Sequence, residues 1–497
     1  MDESLNKRMA IGYLWNLVAK WANRLIGIIS TLILVRLLSP ADFGIASLTS
    51  IIIALFITVS EIGTDKYVIK AKQCTDDLLN SAWSLNLALK CFCSLFIVAF
   101  SEPLANWMAQ PELQPVLLLC CVIPLLGALK NIGLVQYERE LNYFPLTRLA
   151  TTVKLIVFPV TICLALWLRN YWALIIGIVV NETFTLIGSY FIHPYRPRWS
   201  MNEWGKQWDF SKWMLLSTIT GYIRSRIDVL LLGKLLPSGD VGTYRISQEF
   251  AWLPFSELIA PATSSLYSGI SKISHNRDTL HDKIAQYLSV AYMLVVPSAV
   301  GIYALNKEIV NVVLGEQWQT AAPILGILSL LMLSMPLNIA LQTALISLSK
   351  VKQLVIIDIV MVACIVVGFS YLGERSNTTL YQYATYRVSL VVLFIALLFV
   401  AYKWILGMSL TRVLSVFVLP FFPALIMYKA IDALLSNIYF SEPINLVLAV
   451  AVGAVVFIPV MIGVVYSVRR MSPDYFYLHS LLLRLKAAIS VKVKNFI

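Results

Sequence analysis

The 497-residue chain is 59% hydrophobic and only 13% charged, with a mean hydropathy of +0.77; a soluble protein averages about 45–50% apolar and about 25% charged. This excludes a soluble globular enzyme, a disordered chain and a secreted disulfide scaffold, and points to an all-α integral membrane protein. The net charge of +12 then concerns the membrane and not nucleic acid, because the placement of basic residues sets orientation.

Apolar runs of helical length fall, in chain order, at 11–38, 43–62, 81–100, 113–133, 149–168, 171–193, 213–236, 244–270, 284–304, 321–347, 354–372, 379–402, 413–434 and 443–468. Lipid leaves no water for backbone groups, so each run must be a helix, giving about 14 transmembrane helices. Prolines inside them (Pro124, Pro159, Pro254, Pro261, Pro297, Pro336, Pro420, Pro423 and Pro459) predict kinks and not breaks. With the N-terminus in the cytoplasm, 24 basic residues fall in cytoplasmic segments. Only Arg169, Lys307 and Arg375 fall opposite, so the rule that positive loops face inward puts both termini in the cytoplasm. The N-terminus does not read as a cleavable signal, because Lys20 and Arg24 interrupt its apolar run. The largest outer segment, around Asn306–Thr320, is too short for a catalytic domain.

Residues 32–44, LILVRLLSPADFG, align without a gap on 230–242, LLLGKLLPSGDVG. The pairs Arg36/Lys234, Asp42/Asp240 and Gly44/Gly242 carry more information than the leucines. The offset is 198 residues, or six spans, which is a parallel repeat about an axis along the membrane normal. The expected organisation is an N-terminal lobe (1–195), a cytoplasmic interfacial linker (196–212), a C-terminal lobe (213–404), an extra helix pair (405–470) and a basic tail (471–497). Trp199, Trp204, Trp208 and Trp213 stud the linker, and Trp204 and Trp208 share a helix face, which reads as a membrane-surface anchor. The tail, with Leu478, Leu481, Leu482 and Leu485 beside Arg484, Lys486, Lys492 and Lys494, reads the same way. Each Asp–Gly pair of the repeat is expected to cap the helix that follows.

Twelve basic residues remain within or near spans. Arg36, Lys130, Lys234, Arg245 and Lys429 can reach an interface. Lys20, Arg24, Lys90, Lys154, Arg224, Arg226 and Arg387 sit deeper. Facing lipid, each costs roughly 2.5–3.5 kcal/mol at a helix centre, about 20 kcal/mol for the set. That exceeds the typical net stability of a fold. They must therefore face counter-ions or a hydrated cavity. The acids available are Glu182, Asp228, Glu249 and Glu257, with Asp358 shallower. Arg224 and Asp228 are four apart and can pair on their own helix, whereas Lys20 and Arg24, also four apart, repel. The surplus of bases favours a cationic cavity for an anionic substrate. The same acids are either ion-pair partners or sites for a coupling H⁺ or Na⁺. The seven cysteines and four histidines form no metal-ligand pattern, no Walker loop is present, and no cofactor is expected.

Three stretches carry a resemblance: LVRLLSPADFG ending at Gly44, LVQYERELNYF at 134–144 and VLGEQWQTAAPILGILSL at 313–330. With them the chain resembles the Wzx-type polysaccharide flippases, colanic-acid-exporter-like, of the multidrug/oligosaccharidyl-lipid/polysaccharide exporter superfamily. The resemblance implies two parallel six-helix lobes plus a C-terminal pair, V-shaped around a central cavity. It implies a transporter, not an enzyme, that moves an undecaprenyl-diphosphate-linked oligosaccharide across the bacterial inner membrane for surface polysaccharide synthesis. Membrane lipid is an implied partner, as are the polysaccharide polymerase and chain-length machinery; a monomer is expected. The runner-up is a drug/cation antiporter of the same superfamily, which the basic surplus disfavours. A membrane polymerase or ligase is disfavoured by the short outer loops.

Overall fold

The computed structural model describes residues 3–259, 270, 277–470 and 474–483, apart from 62, 72, 141, 349, 376, 438–439, 471–473, 476 and 481–482. For residues 3–19 and parts of 206–217 it describes the backbone alone. The described chain is helical, with no strand. It divides into two compact units, Met1–Gly242 and Thr243–Ile497.

The first unit holds α1 (Glu3–Leu37), α2 (Pro40–Ser60), the short α3 (Thr64–Lys70), α4 (Asp76–Trp107), α5 (Leu113–Cys120), α6 (Val122–Leu129), α7 (Leu134–Arg139), α8 (Phe144–Leu168), α9 (Trp172–Ile192) and α10 (Trp204–Leu235). Helix α11 (Ser238–Pro254) begins in it, and Pro254 gives way to a π turn at Phe255–Ile259. The second unit continues with α12 (Arg277–Ala304), α13 (Asn306–Ile309), α14 (Ala321–Ser329), α15 (Met335–Ser347), α16 (Val351–Gly373), α17 (Leu380–Trp404), α18 (Leu410–Val418), α19 (Phe421–Asn437) and α20 (Glu442–Val468). Among the described residues, ten helical segments are long and apolar enough to cross a membrane. The chain is a multi-pass membrane protein. These ten support the all-helical expectation; the count of fourteen goes beyond them.

Helix starts follow local chemistry. Ser39 caps α2 with reciprocal bonds: the Asp42 N–H donates to Ser39 Oγ at 3.3 Å, and the Ser39 N–H donates to Asp42 Oδ2 at 2.9 Å. Pro40 opens the helix, where its missing N–H does no harm. Thus Ser39 is the cap and Asp42 its partner in the first turn, a refinement of the expected Asp–Gly cap. Thr379 and Gln382 make the same arrangement at α17. The repeat has a physical cause at its glycines. A Cβ on Gly44 would collide with the Ser238 carbonyl, and one on Gly242 with the Pro40 carbonyl. The starts of α2 and α11 touch backbone to backbone, which only glycine permits.

Three expectations are corrected. The linker is not a separate surface helix: residues 194–201 form neither helix nor strand, 202–203 turn, and from Trp204 the chain is already the first turns of α10. This strap is stitched to the start of α4. Asn80 Oδ1 accepts from the Arg198 N–H at 2.6 Å and the Tyr195 hydroxyl at 2.8 Å. Ser84 Oγ accepts from the Ser200 N–H at 2.9 Å, and Ser81 Oγ from the Glu203 N–H at 3.1 Å. The compact-unit boundary falls at Gly242, one helix later than the expected lobe boundary, because α10 packs on α2 and α4. The segment around Asn306–Thr320 is a chain of short helical turns and not an open loop.

The prolines divide. Pro159, Pro297 and Pro459 stay inside helices, whereas Pro420 separates α18 from α19 and Pro336 follows a 3₁₀ stretch at Leu330–Ser334. Each removes one N–H and crowds the carbonyl four residues back. Pro261 and most of the basic tail lie outside the described residues. In the second unit α12 is central, packed by α14, α15, α18 and α19. Its buried Tyr292 donates to the Leu333 carbonyl at 3.0 Å, and Tyr402 donates to that of Leu337 at 2.9 Å, so both phenols are satisfied in an otherwise apolar core.

Candidate functional site: charges within the spanning helices

Three of the seven deep cations share one helix pair. Helices α1 and α8 pack along each other. Asn23 Nδ2 donates to Thr151 Oγ1 at 2.7 Å, and Lys154 Nζ donates to the Asn23 carbonyl at 2.5 Å. Gly27 gives the ammonium room: a Cβ there would stand 3.1 Å from Nζ. Lys20 and Arg24, one turn apart on α1, are exposed, and Arg24 acts electrostatically on Lys154. At 1.5 Å per residue, Arg24 lies about 20 Å from the Leu37 end of α1, and Lys154 about 21 Å from the Leu168 end of α8. Lys154 thus sits near the middle of α8, a helix long and apolar enough to cross a membrane.

The other deep charges are dispersed. Arg224 and Arg226 are half-buried on α10, where Asp228 is buried and accepts from the Val229 N–H at 2.9 Å. Arg387 is half-buried on α17 and Asp358 buried on α16. Glu249 is exposed on α11. Glu257 is half-buried in the π turn, accepting from Ser256 Oγ at 2.9 Å.

Lys90 departs from the expected cationic chamber. It is 7% exposed and lines a cavity of about 360 Å³ within the first unit, walled by the end of α2, α3, α4, α6, α7 and α9. Four carboxylates line it (Glu61, Asp65, Glu138 and Glu182) against two ammonium groups, Lys90 and Lys130. Lys130 does not reach for an interface: it pairs with Glu182 at 2.7 Å, tying the end of α6 to α9. Trp83, Asn86 and Asn131 complete the polar wall. Asp65 and Glu138 fall between the apolar runs, where acids look ordinary, and Glu61 falls at the very end of the run 43–62. At the connector, burial and the nearby Asp65 charge push the Glu138 carboxyl above its usual range.

The second unit contains an apolar groove of about 510 Å³ between α12, α19 and α20. Gly301, Gly453, Met293, Met427, Phe457 and Met461 are among the residues that line it. Nearby, Arg412 bridges Asp474, through Nε at 2.6 Å, and Asp282 at 2.8 Å, pinning the segment after α20 to the unit.

Comparison with known proteins agrees with this architecture. A family model described as "Polysaccharide biosynthesis protein" matches residues 33–323. The lipopolysaccharide biosynthesis protein WzxC of Escherichia coli is 26% identical over 337 residues, covering 65% of this chain and 67% of its own. An uncharacterized membrane protein in the cps region of Klebsiella pneumoniae is 23% identical, covering 63% of this chain and 66% of its own. The succinoglycan biosynthesis transport protein ExoT of Rhizobium meliloti is 24% identical, at 64% of each chain. The chain thus spans about two thirds of the length of these relatives. Among solved structures, the lipid II flippase MurJ in an inward closed conformation superposes with a TM-score of 0.73 at 14% identity, over 91% of this chain and 99% of its own. A multidrug resistance MATE family transporter gives 0.57. These two establish the fold. With more than half of its length matched by the family model, the chain belongs to the polysaccharide biosynthesis protein family.

Proposed function

We propose that the chain is a transporter that flips a polyprenyl-diphosphate-linked oligosaccharide from the inner to the outer leaflet of the bacterial inner membrane by alternating access, supplying surface polysaccharide synthesis. The observation that carries this reading is the α1/α8 face, where Lys20 and Arg24 are exposed on α1 beside Lys154, which stands midway along the apolar α8 and whose Nζ donates to the Asn23 carbonyl. Cations on a membrane-crossing face are held by water, an anion or a protein acceptor. A diphosphate crossing a low-dielectric layer needs the same thing in reverse: charge-assisted hydrogen bonds that offset its desolvation. Lys154, held to a neutral carbonyl, can exchange that bond for a phosphate oxygen. The isoprenoid tail needs only apolar surroundings, which the bilayer and the groove of the second unit both offer.

The reading includes fourteen spans, both termini in the cytoplasm, and the polymerase and chain-length machinery as downstream partners. It includes an H⁺ or Na⁺ gradient as the driving force. The names of the relatives, among them a lipopolysaccharide biosynthesis protein and a flippase, support the substrate class. The test is deletion of the gene followed by leaflet-resolved analysis of lipid-linked repeat units. Accumulation on the cytoplasmic leaflet is expected. Complementation by Arg24→Ala or Lys154→Ala, at matched membrane levels, should leave most of it trapped. Full export with both substitutions combined would overturn the assignment of this face.

A further inference from the structure

We infer that the acid-lined cavity of the first unit is a saccharide subsite that takes the sugar end of the lipid-linked substrate, with Lys90 at its closed end. This inference rests on the flippase reading above. The first observation is Lys90 itself. It is more than nine-tenths buried and lines the cavity. Among the described residues no hydrogen bond or ion pair holds it. Glu61, Asp65 and Glu182 act on it electrostatically, yet none lies within 4.0 Å. Gly127 lies against its ammonium, where a Cβ would stand in ordinary contact at 3.6 Å from Nζ. A buried ammonium that lines a cavity calls for an acceptor from outside the chain.

Charge then selects the ligand. An anion would meet four carboxylates. An inorganic cation would meet the Lys90 and Lys130 ammonium groups. A neutral polyhydroxyl compound suits both, because each hydroxyl accepts from Lys90 or donates to Glu61, Asp65 or Glu138 as required. Trp83 and Asn86 supply an indole face and an amide on the same wall. The volume of about 360 Å³ lies in the lower part of the range of roughly 300–1,000 Å³ for small-molecule sites. Two of the lining acids, Glu61 and Asp65, are solvent-exposed, so the cavity can be reached from outside. They and Glu138 stand on the connectors that the charge pattern assigns to the cytoplasm, where the substrate would be taken up.

The experiment uses the purified full chain in detergent and, as probe, the repeat-unit oligosaccharide released by mild acid from the host's own lipid-linked pool, with binding read by equilibrium dialysis. Saturable binding is expected. Lys90→Met and the pair Glu61→Gln/Asp65→Asn should each weaken it at least about tenfold, the loss of one hydrogen bond to a charged group. Asn86→Ala, a milder change, should weaken it less, and Lys307→Ala in the second unit should not change it. Variants are compared only where they elute as monodisperse protein. No binding up to about 10 mM, or binding indifferent to all the cavity substitutions, would overturn the subsite. Radioactive Na⁺ held by the cavity in place of the glycan would do so too. Should the glycan bind as described while the deletion strain traps no lipid-linked repeat units, the flippase reading falls and the subsite stands.

Discussion

The contact between the starts of α2 and α11 makes a sharp prediction. In Gly44→Ala the new methyl would overlap the Ser238 carbonyl oxygen, and in Gly242→Ala the Pro40 carbonyl. Both obstacles are backbone, so no rotamer change relieves them. Overpacking typically costs about 1–3 kcal/mol, and an immovable partner places this case near 3 kcal/mol. Alanine returns up to about 1 kcal/mol through helix propensity. The net destabilisation is therefore about 2 kcal/mol for either substitution. Combined, they should cost less than the sum, since one separation of the helix starts relieves both clashes. Gly463→Ala is the control. It lies within α20 with nothing within 4 Å of the new methyl, so it should be neutral or slightly stabilising. Thermal unfolding of the purified chain in detergent, followed by tryptophan fluorescence, orders the variants. A Gly44→Ala midpoint at or above that of the parent chain would refute the close crossing, and with it the physical account of the repeat.

Two further outcomes follow from the ion pairs. Glu182→Gln leaves Lys130, with 30% of its side chain exposed, without its counter-charge. The cost should be about 2 kcal/mol, between the surface and buried limits, and a double-mutant cycle with Lys130→Gln should return a coupling above about 1 kcal/mol. Asp474→Asn weakens the paired bonds to Arg412 at a carboxylate only 2% exposed. It should destabilise by about 3 kcal/mol and speed tryptic cleavage at Arg469–Arg470, read on a gel.

Hydropathy located the helices because each segment's affinity for lipid is a local property. The capping box at Ser39 and the matched glycines were likewise within reach, since their partners are neighbours in sequence or in the repeat. The azimuth of a helix is not local. That Lys154 turns to α1, and that Lys130 meets Glu182 from a helix 52 residues on, depends on which helices adjoin. Lys90 looked like its fellow cations from depth alone. What distinguishes it are Glu61, Asp65 and Glu138, which a window scan reads as ordinary polar residues between apolar runs or at the end of one. The linker misled for a related reason: its tryptophans suggested a surface helix, while Asn80, Ser81 and Ser84, more than 110 residues earlier, supply the bonds that tie much of it to α4.

That strap orders biogenesis. Its anchor on α4 and its own backbone are separated by 118 residues at Arg198, which a ribosome adds on the order of ten seconds apart. During that interval α4 enters the bilayer with a notch of side-chain acceptors still waiting for their donors, while three more apolar segments, Leu113–Leu129, Phe144–Leu168 and Trp172–Ile192, are threaded. The notch fills last. Residues 194–203 are therefore the clasp that completes the bonding of α4, and a nascent chain stalled before Tyr195 would be left with an incompletely bonded α4, open to quality-control proteases.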